Sequence, residues 1–146
     1  MRAKRWAIAA LLAVLLTGCV RNEAPGGTAN SAAVHMDDQR EQLLKKFQGT
    51  WINEEDPQFI LELKGNVETT GIDQSEQLTE SEFEIVEFDA EAKYIVVQGL
   101  SQDLNEGPDA EKKAYTSKLQ LEGDGNSLLY TYDYLNTNVE SHWQKK

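Results

Sequence analysis

Cys19 has the most distinctive chemistry in the sequence, because it is the only cysteine among 146 residues. Its thiol has no partner for an intramolecular disulfide, so it is available as a nucleophile. Two small residues, Thr17 and Gly18, precede it and follow an apolar run from Trp6 to Leu16. A basic start without any acidic residue precedes that run, Met1–Arg5. This arrangement is typical of an export signal that ends at a reactive thiol.

The segment Leu16-Thr17-Gly18-Cys19 resembles the lipobox of bacterial lipoproteins, in which cleavage occurs before the cysteine. The resemblance implies a signal peptide over residues 1–18 and a diacylglycerol thioether on Cys19. A further acyl chain such as palmitate on the new amino group would make the anchor stable. The apolar run is shorter than the roughly 20 residues that a spanning helix needs. We therefore expect a lipid-anchored protein on the extracytoplasmic face of the cell membrane, or on the outer membrane if there are two.

Residues 19–35 are mostly small and polar and include Pro25-Gly26-Gly27, which predicts a flexible tether. Residues 36–146 then form one small domain. All 25 acidic residues but only part of the 14 basic residues lie after Cys19. The chain after Cys19 is therefore more negative than the formal charge of −11 for the whole sequence. Such a charge disfavours contact with nucleic acid and with anionic membrane surfaces. Contact with the bilayer is expected through acylated Cys19 alone.

The pattern of apolar residues predicts an all-β fold after one short helix. Asp37 to Phe47 has a helical spacing of apolar residues, and Gly49 is well placed to end the helix. From Thr50 onward apolar and polar residues alternate in eight short segments separated by turn residues, so neighbouring strands should pair antiparallel. We predict a small eight-stranded antiparallel up-and-down barrel, a size that is just filled by side chains or holds one small ligand.

The predicted connections differ in length between the two ends of such a barrel. One end has the tight turns Lys64–Asn66, Asp89–Ala92 and Gly123–Asn126. The other has longer connections, predicted at Asn53–Pro57, Asp73–Ser81 and Ser101–Lys113. The expected shape is therefore a cup with one closed end.

The motif Gly49-Thr50-Trp51, after a short helix and at the first strand, resembles the G-x-W signature of the lipocalin and calycin group. The resemblance implies a tryptophan that plugs the closed end of an eight-stranded barrel and a ligand cavity at the other end. Lipocalins usually place an arginine from the last strand over this tryptophan. Here Lys145 or Lys146 would have to take that position.

Aromatic residues of the predicted inner face are the candidates for ligand contact. Tyr130, Tyr132 and Tyr134 share one strand face with Leu128, and three inward hydroxyls need polar partners that a dry core does not supply. An outward tyrosine face remains an alternative, because one bulge reverses the phase of a strand. Trp51 and Trp143 are expected mainly as core at the closed end. The candidate ligand-binding residues are Tyr130, Tyr132, Tyr134, Trp51 and Phe83.

The loops at the expected mouth are acidic, with Lys112 and Lys113 as the only opposing charges. A solvated acidic surface is one interpretation. The other is selection against anionic ligands, which predicts a neutral or cationic amphiphile. The acidic residues are Glu54, Glu55, Asp56, Asp73, Glu76, Glu80, Asp103, Glu106, Asp109 and Glu111.

A second function competes with ligand binding. Val86, Phe88, Tyr94 and Val96 have the opposite parity to their inward neighbours, so the hairpin around Asp89 could be apolar outside as well. That surface would suit a protein-interaction or envelope-associated module with a filled core, although the helix could also cover it. Catalysis has little support, because no H-E-x-x-H, G-x-S-x-G or metal-ligand cluster occurs. We expect no enzyme activity, no cofactor and no metal.

Overall fold

A computed structural model describes residues 28–73, 75–134 and 136–146, without the side chains of residues 28–32 and 134. The predictions for the signal peptide, for Cys19 and for most of the tether lie outside these residues. Within the described part, no helix combines the length and the hydropathy that crossing a membrane requires.

The described chain contains one α-helix, eight strands and a short 3-10 helix. The α-helix α1 covers Thr28–Phe47, and the 3-10 helix covers Leu104–Glu106. The strands are β1 Gly49–Asn53, β2 Phe59–Lys64, β3 Val67–Ile72, β4 Glu76–Asp89, β5 Tyr94–Asp103, β6 Lys113–Glu122, β7 Ser127–Tyr134 and β8 Thr137–Lys145.

The eight strands form a closed antiparallel up-and-down barrel in which each strand pairs with its neighbours in sequence. The first and last strands close it, with Trp51 opposite Lys145 and Asn53 opposite Trp143. Closure leaves no unpaired sheet edge of the kind that invites pairing with another chain. The predicted fold class is confirmed.

The helix α1 is longer than predicted, because it begins at Thr28 and not near Asp37. Ala29, Ala32 and Ala33 are strong helix formers, and Pro25-Gly26-Gly27 lies just before the helix. The polar composition that suggested a tether up to residue 35 therefore extends into the helix.

The C-terminal turns of α1 cover the closed end of the barrel. Leu43 and Phe47 are buried in the same cluster as Trp51. The indole Nε1 of Trp51 donates a hydrogen bond to the carbonyl oxygen of Phe47 at 2.9 Å. The helix therefore ends on the tryptophan of the first strand, which fixes its position over the barrel.

Lys145 lies over Trp51, where the sequence predicted that Lys145 or Lys146 would lie. Its Nζ is 5.1 Å from the centre of the Trp51 ring and donates to the carbonyl oxygen of Lys46 at 3.1 Å. The ammonium thus combines a cation–π contact with a hydrogen bond to a carbonyl near the C-terminus of α1. Helix, first strand and last strand are joined at one point.

The predicted alternation of side chains gives the core. The buried apolar residues come from α1 and from strands on all sides of the barrel, each at the parity that the sequence indicated. They are Leu43, Phe47, Trp51, Leu61, Leu63, Phe83, Ile95, Val97, Leu119, Leu121, Leu128, Tyr130 and Trp143. They are concentrated towards the closed end, where they surround Trp51.

One of the predicted long connections is wrong, and another is long but shorter than predicted. The β3–β4 connection is only residues 73–75, because Glu76 to Ser81 belongs to β4, and the β5–β6 connection covers residues 104–112. Thr79 and Ser81 point inward and Glu80 outward. The segment Glu76 to Ser81 has no apolar residue on its inner face, because this part of the barrel interior is polar. Its sequence pattern therefore resembles that of a loop.

The predicted apolar outer face of the β4–β5 hairpin is wrong for Phe88, whereas Val86, Tyr94 and Val96 stay outside. The register shifts between Ile85 and Glu87, so Val86 forms a bulge and Phe88 pairs with the buried Ile95. Phe88 therefore packs against the core. Tyr94 stays outside, where its hydroxyl donates to Glu87 at 2.6 Å, and its ring lies 4.1 Å below Lys118 Nζ. Of the four residues, Val86 is the most exposed, at 47%.

Candidate functional site

The barrel contains a cavity of about 440 Å³ in the half away from α1. It opens at the end that carries the β1–β2, β3–β4, β5–β6 and β7–β8 connections, which we call the loop end. This volume is within the range of small-molecule sites. The residues that define its chemistry are Glu68, Tyr115, Ser117, Tyr130, Tyr132 and Trp143.

The cavity exists because inward side chains change from large and apolar to small and polar along part of several strands. On β6 the order from the closed end is Leu121, Leu119, Ser117 and then Tyr115. On β4, Ser81 and Thr79 follow Phe83. Serine and threonine are too short to meet across a barrel of eight strands, so the apolar core stops below them.

Gly99 makes room for one of the cavity walls. It occupies an inward position of β5, opposite Tyr115 on β6. A Cβ atom at this position would clash first with the backbone oxygen of Glu82 and would also lie 2.9 Å from Cε1 of Tyr115, closer than real Cβ contacts. The absence of a side chain therefore allows the Tyr115 ring to lie across the strand.

A buried carboxylate lies at the inner end of the cavity. Glu68 of β3 is 5% exposed, and its Oε1 accepts a hydrogen bond from the Tyr130 hydroxyl at 2.9 Å. Ser117 Oγ lies 3.0 Å from the same hydroxyl. Strands β3 and β7 are four apart in either direction around the closed barrel, so the Glu68–Tyr130 bond crosses the interior.

Two polar atoms of this group lack partners. Glu68 Oε2 and the Tyr115 hydroxyl oxygen are buried, and no described residue forms a well-aligned hydrogen bond with either of them. Ser81 is nevertheless close enough to the Tyr115 hydroxyl to act on its pKa, so Glu68 Oε2 is the less satisfied of the two. Native proteins pair nearly all such atoms, because a buried polar atom without a partner costs about 1–3 kcal/mol and more if charged. Both residues line the cavity, so these two atoms lie just behind its wall, and a small side-chain movement would bring them into contact with a molecule inside it.

Burial dominates the acid–base properties of the group. It raises the pKa of the Glu68 carboxyl from 4.5 to about 7, although the hydrogen bond from Tyr130 acts in the opposite direction. Burial, followed by the nearby Glu68, also raises the pKa of the Tyr115 and Tyr130 hydroxyls. Near neutral pH both tyrosines are therefore neutral, whereas Glu68 exists in both forms.

Aromatic rings form the upper wall. Tyr130 and Tyr132 meet edge to face with ring centres 5.8 Å apart. Tyr132 and Phe59 are partly exposed, at 36% and 39%, as expected for residues near an opening. Trp143 faces the cavity, and its Nε1 donates to Ser141 Oγ at 2.8 Å. The indole N–H of Trp143 and the hydroxyl of Tyr130 thus have hydrogen-bond partners within the barrel. The rings of this wall are then available for contact with an apolar ligand.

The barrel wall is incomplete beside the mouth. Pairing between β6 and β7 ends at Ser117 and Tyr132, although β6 begins at Lys113 and β7 continues to Tyr134. Thr116 and Asp133, at this gap, line both the cavity and a hollow on the outer face of β4, β5 and β6. Only a thin wall therefore separates the cavity from this outer hollow.

The structure separates the predicted ligand-binding residues into three groups. Tyr130 and Tyr132 line the cavity, as the inward tyrosine face predicted. Trp51 and Phe83 belong to the core beneath it and do not line it, because the apolar layer around Trp51 is filled. Tyr134 is the last residue of β7, opposite Thr137, and its side chain lies outside the described part.

The sequence prediction missed Glu68 and gave Tyr115 no role. Glu68 has the inward parity of Thr70 on β3, two residues along the strand, so the strand phase contained a signal. Its hydrogen-bond partner is 62 residues away, and no local pattern connects the two.

The acidic residues predicted at the mouth are exposed. Glu54 to Asp56 lie in the β1–β2 connection, and Glu106, Asp109 and Glu111 lie at or beside the β5–β6 connection. Asp103 accepts a hydrogen bond from the amide of Asn105 at 2.9 Å, which is a local turn contact. Among the residues in the described ranges, no group of three acidic, histidine or cysteine side chains could hold a metal ion.

Comparison of the sequence with protein-family models and curated proteins, and of the structure with solved structures, found no match. The features of this chain that bear on its function are therefore the cavity and the sequence before the barrel.

Proposed function

We propose that this chain is a lipid-anchored extracytoplasmic protein whose lipocalin-like barrel binds a small hydrophobic or amphiphilic molecule, neutral or cationic. The observation that carries this proposal is the 440 Å³ cavity, which ends on buried polar atoms without partners. A barrel whose only role were structural would be expected to fill this space with apolar side chains.

The arrangement at the closed end supports a lipocalin-like interpretation. A helix precedes the first strand, Trp51 is buried beneath it, and Lys145 lies over the ring where lipocalins usually have an arginine. These features position the cavity at the opposite end. Fold alone does not identify a ligand, so the ligand class has to come from the cavity walls.

The walls and the rim favour a neutral or cationic ligand. The inner end contains a carboxyl group, and the rim has many more acidic than basic residues. Both disfavour an anion such as a free fatty acid. Aromatic faces from Tyr132 and Trp143 suit the apolar part of an amphiphile.

The anchor rests on the lipobox-like segment that ends at Cys19. Growth with an alkyne-tagged fatty acid tests it. We expect the protein to incorporate the tag and to remain with membranes, and Cys19→Ala to abolish both. Incorporation that persists in Cys19→Ala would contradict the proposed anchor.

The alternative, a protein-interaction module with a filled core, has less support than the sequence suggested. Its main argument was an apolar outer hairpin, but Phe88 packs inward and Tyr94 is engaged by Glu87 and Lys118. Val86 and Leu100 remain exposed on separate strands. On the outer face Leu100 lies opposite Glu82, whereas Val86 lies at the bulge beside the half-buried Val96.

A fluorescent probe tests ligand binding directly. N-phenyl-1-naphthylamine is neutral at pH 7 and brightens in apolar surroundings, and we expect it to bind residues 20–146 in detergent-free buffer. Ser101→Phe should abolish binding, because Ser101 is an inward residue that lines the cavity. The matched control is Leu100→Phe, on the next, outward position of β5. Equal brightening in both variants would place the probe elsewhere and contradict the proposal.

A further inference from the structure

The second carboxylate oxygen of Glu68 is the most unusual atom in the cavity. The first, Oε1, accepts from Tyr130, whereas Oε2 has no partner in the described part of the chain. Within that part, the ion pairs of lysine, arginine and histidine involve other carboxylates, all on the surface. A buried carboxylate without a cation is strongly unfavourable, so a ligand that supplies one would gain the energy that the protein leaves unsatisfied.

The Tyr115 hydroxyl adds a second requirement. It is also buried and has no well-aligned hydrogen bond in the described part, although Ser81 lies beside it, and it lies close enough to Glu68 for the carboxylate charge to raise its pKa. An alcohol has one hydrogen to donate, whereas a protonated primary amine has three. One ammonium group can therefore donate to Glu68 Oε2 and to the Tyr115 oxygen at the same time.

We infer that the barrel selects a protonated organic amine whose ammonium group pairs with Glu68 Oε2 and contacts Tyr115 at the inner end of the cavity. This inference rests on the proposed function and names its ligand class. The apolar part of the amine would lie along Tyr132 and Phe59 towards the mouth.

The surroundings of Glu68 are suited to a cation in other ways. Three aromatic side chains line the same cavity, Tyr115, Tyr130 and Trp143. Ring faces attract a desolvated cation by about 2 kcal/mol. The acidic rim raises the local concentration of cations at the mouth and accelerates their entry. All three features thus favour an organic cation, namely the acidic rim, the aromatic walls and the carboxylate at the inner end.

The ionisation of Glu68 makes amine binding depend on pH. The titratable groups that face it are Tyr130 on β7 and Tyr115 on β6, both neutral near pH 7, and Asp133 lines the cavity at the β6–β7 gap. Below pH 7 the carboxyl of the empty barrel takes up a proton that an ammonium ligand must displace. The affinity for amines should therefore fall by up to about tenfold per pH unit below 7.

Isothermal titration with a pair of probes of the same shape tests the inference. The probes are 2-phenylethylamine and 2-phenylethanol, and the protein is the full chain in digitonin, a nonionic detergent whose molecule is larger than the cavity. At pH 8 we expect the amine to bind at least about tenfold more tightly than the alcohol, as for a hydrogen bond to a charged group. Glu68→Gln should remove this preference and leave the affinity for the alcohol within about twofold.

Two further variants control for unrelated effects. Glu62→Gln removes an exposed carboxylate from the outer face of β2 and should leave both affinities unchanged. Tyr115→Phe keeps the ring and removes the hydroxyl, and it should weaken amine binding about tenfold or more, as expected for one hydrogen bond with a charged donor. This variant tests the inference even if Glu68→Gln alters the fold.

Several results would overturn the inference. Equal affinity for amine and alcohol, or an amine preference that survives Glu68→Gln, would show that the cavity binds small molecules without reading their charge. Failure of both probes to bind would also reject the inference, whereas brightening of N-phenyl-1-naphthylamine would still support the proposed function.

Discussion

Replacing Glu68 with glutamine should stabilise the empty protein at pH 8. Glutamine has almost the same shape, keeps an oxygen that can accept from Tyr130, and carries no charge to bury. A substitution that stabilises a barrel and at the same time removes ligand selectivity is expected where a strained group serves function.

The expected magnitude follows from the pKa of Glu68. Burial raises it from 4.5 to about 7. A shift of about 2.5 units at about 1.4 kcal/mol per unit gives about 3 kcal/mol. In this window the unfolded chain has released a proton that the folded chain retains, so the contribution of Glu68 to the free energy of unfolding falls as pH rises. At pH 5 the difference from Glu68→Gln should shrink to about 1 kcal/mol.

Urea unfolding at pH 5 and pH 8, followed by tryptophan fluorescence, measures this difference. The control is Glu62→Gln, which also removes one negative charge but from the solvent-exposed face of β2. Its effect should be within about 0.5 kcal/mol at both pH values. If Glu68→Gln destabilises the protein at pH 8, or has the same effect at both pH values, Glu68 is not a buried carboxyl group with a raised pKa.

Three other predictions concern the barrel itself. Phe88→Asp should lower the free energy of unfolding by about 2 kcal/mol or more, whereas Val86→Asp should change it by less than about 0.5 kcal/mol, as measured by urea unfolding. The opposite order would mean that the bulge is misplaced. Gly99→Ala should destabilise by about 3 kcal/mol, because the new methyl group meets the backbone oxygen of Glu82 as well as the Tyr115 ring, and it should also dim bound N-phenyl-1-naphthylamine. Lys145→Met should weaken the closed end by about 1 kcal/mol without changing probe binding, and loss of binding would contradict the separation of closed end and cavity.

The fold was predictable because burial on one face imposes a period of two on every strand. Leu61 and Leu63 on β2, or Ile95 and Val97 on β5, are inward as their alternation indicates. The motif Gly49-Thr50-Trp51 marked the closed end for a different reason. The buried indole N–H of Trp51 needs an acceptor, and the last turn of α1 supplies the carbonyl oxygen of Phe47.

The prediction failed where the interior stops being apolar or the strand stops being regular. The first half of β4 has Thr79 and Ser81 on its inner face, so its pattern did not differ from that of a loop. One extra residue at Val86 reversed the phase of everything after it on that strand. Neither event has a signature in the order of apolar and polar residues, because both depend on what lies across the barrel.

The candidate site was predictable in part. The inward tyrosine face of β7 was expected, and Tyr130 and Tyr132 do line the cavity. Glu68 was not expected, because a glutamate in a weak strand has many ordinary roles on a surface. Only closure of the barrel brings it within 2.9 Å of a residue on the opposite side.

Native mass spectrometry tests the central claim, that the barrel holds a small molecule, most directly. Residues 20–146 would be expressed in a bacterial host and purified without detergent, beside the cavity-filling variant Ser101→Phe. We expect the unaltered chain to carry an added mass of a few hundred daltons. This mass should disappear on denaturation and should be absent from Ser101→Phe. A bare mass that stays bare after incubation with 2-phenylethylamine, N-phenyl-1-naphthylamine and a lipid extract of the host would contradict the central claim.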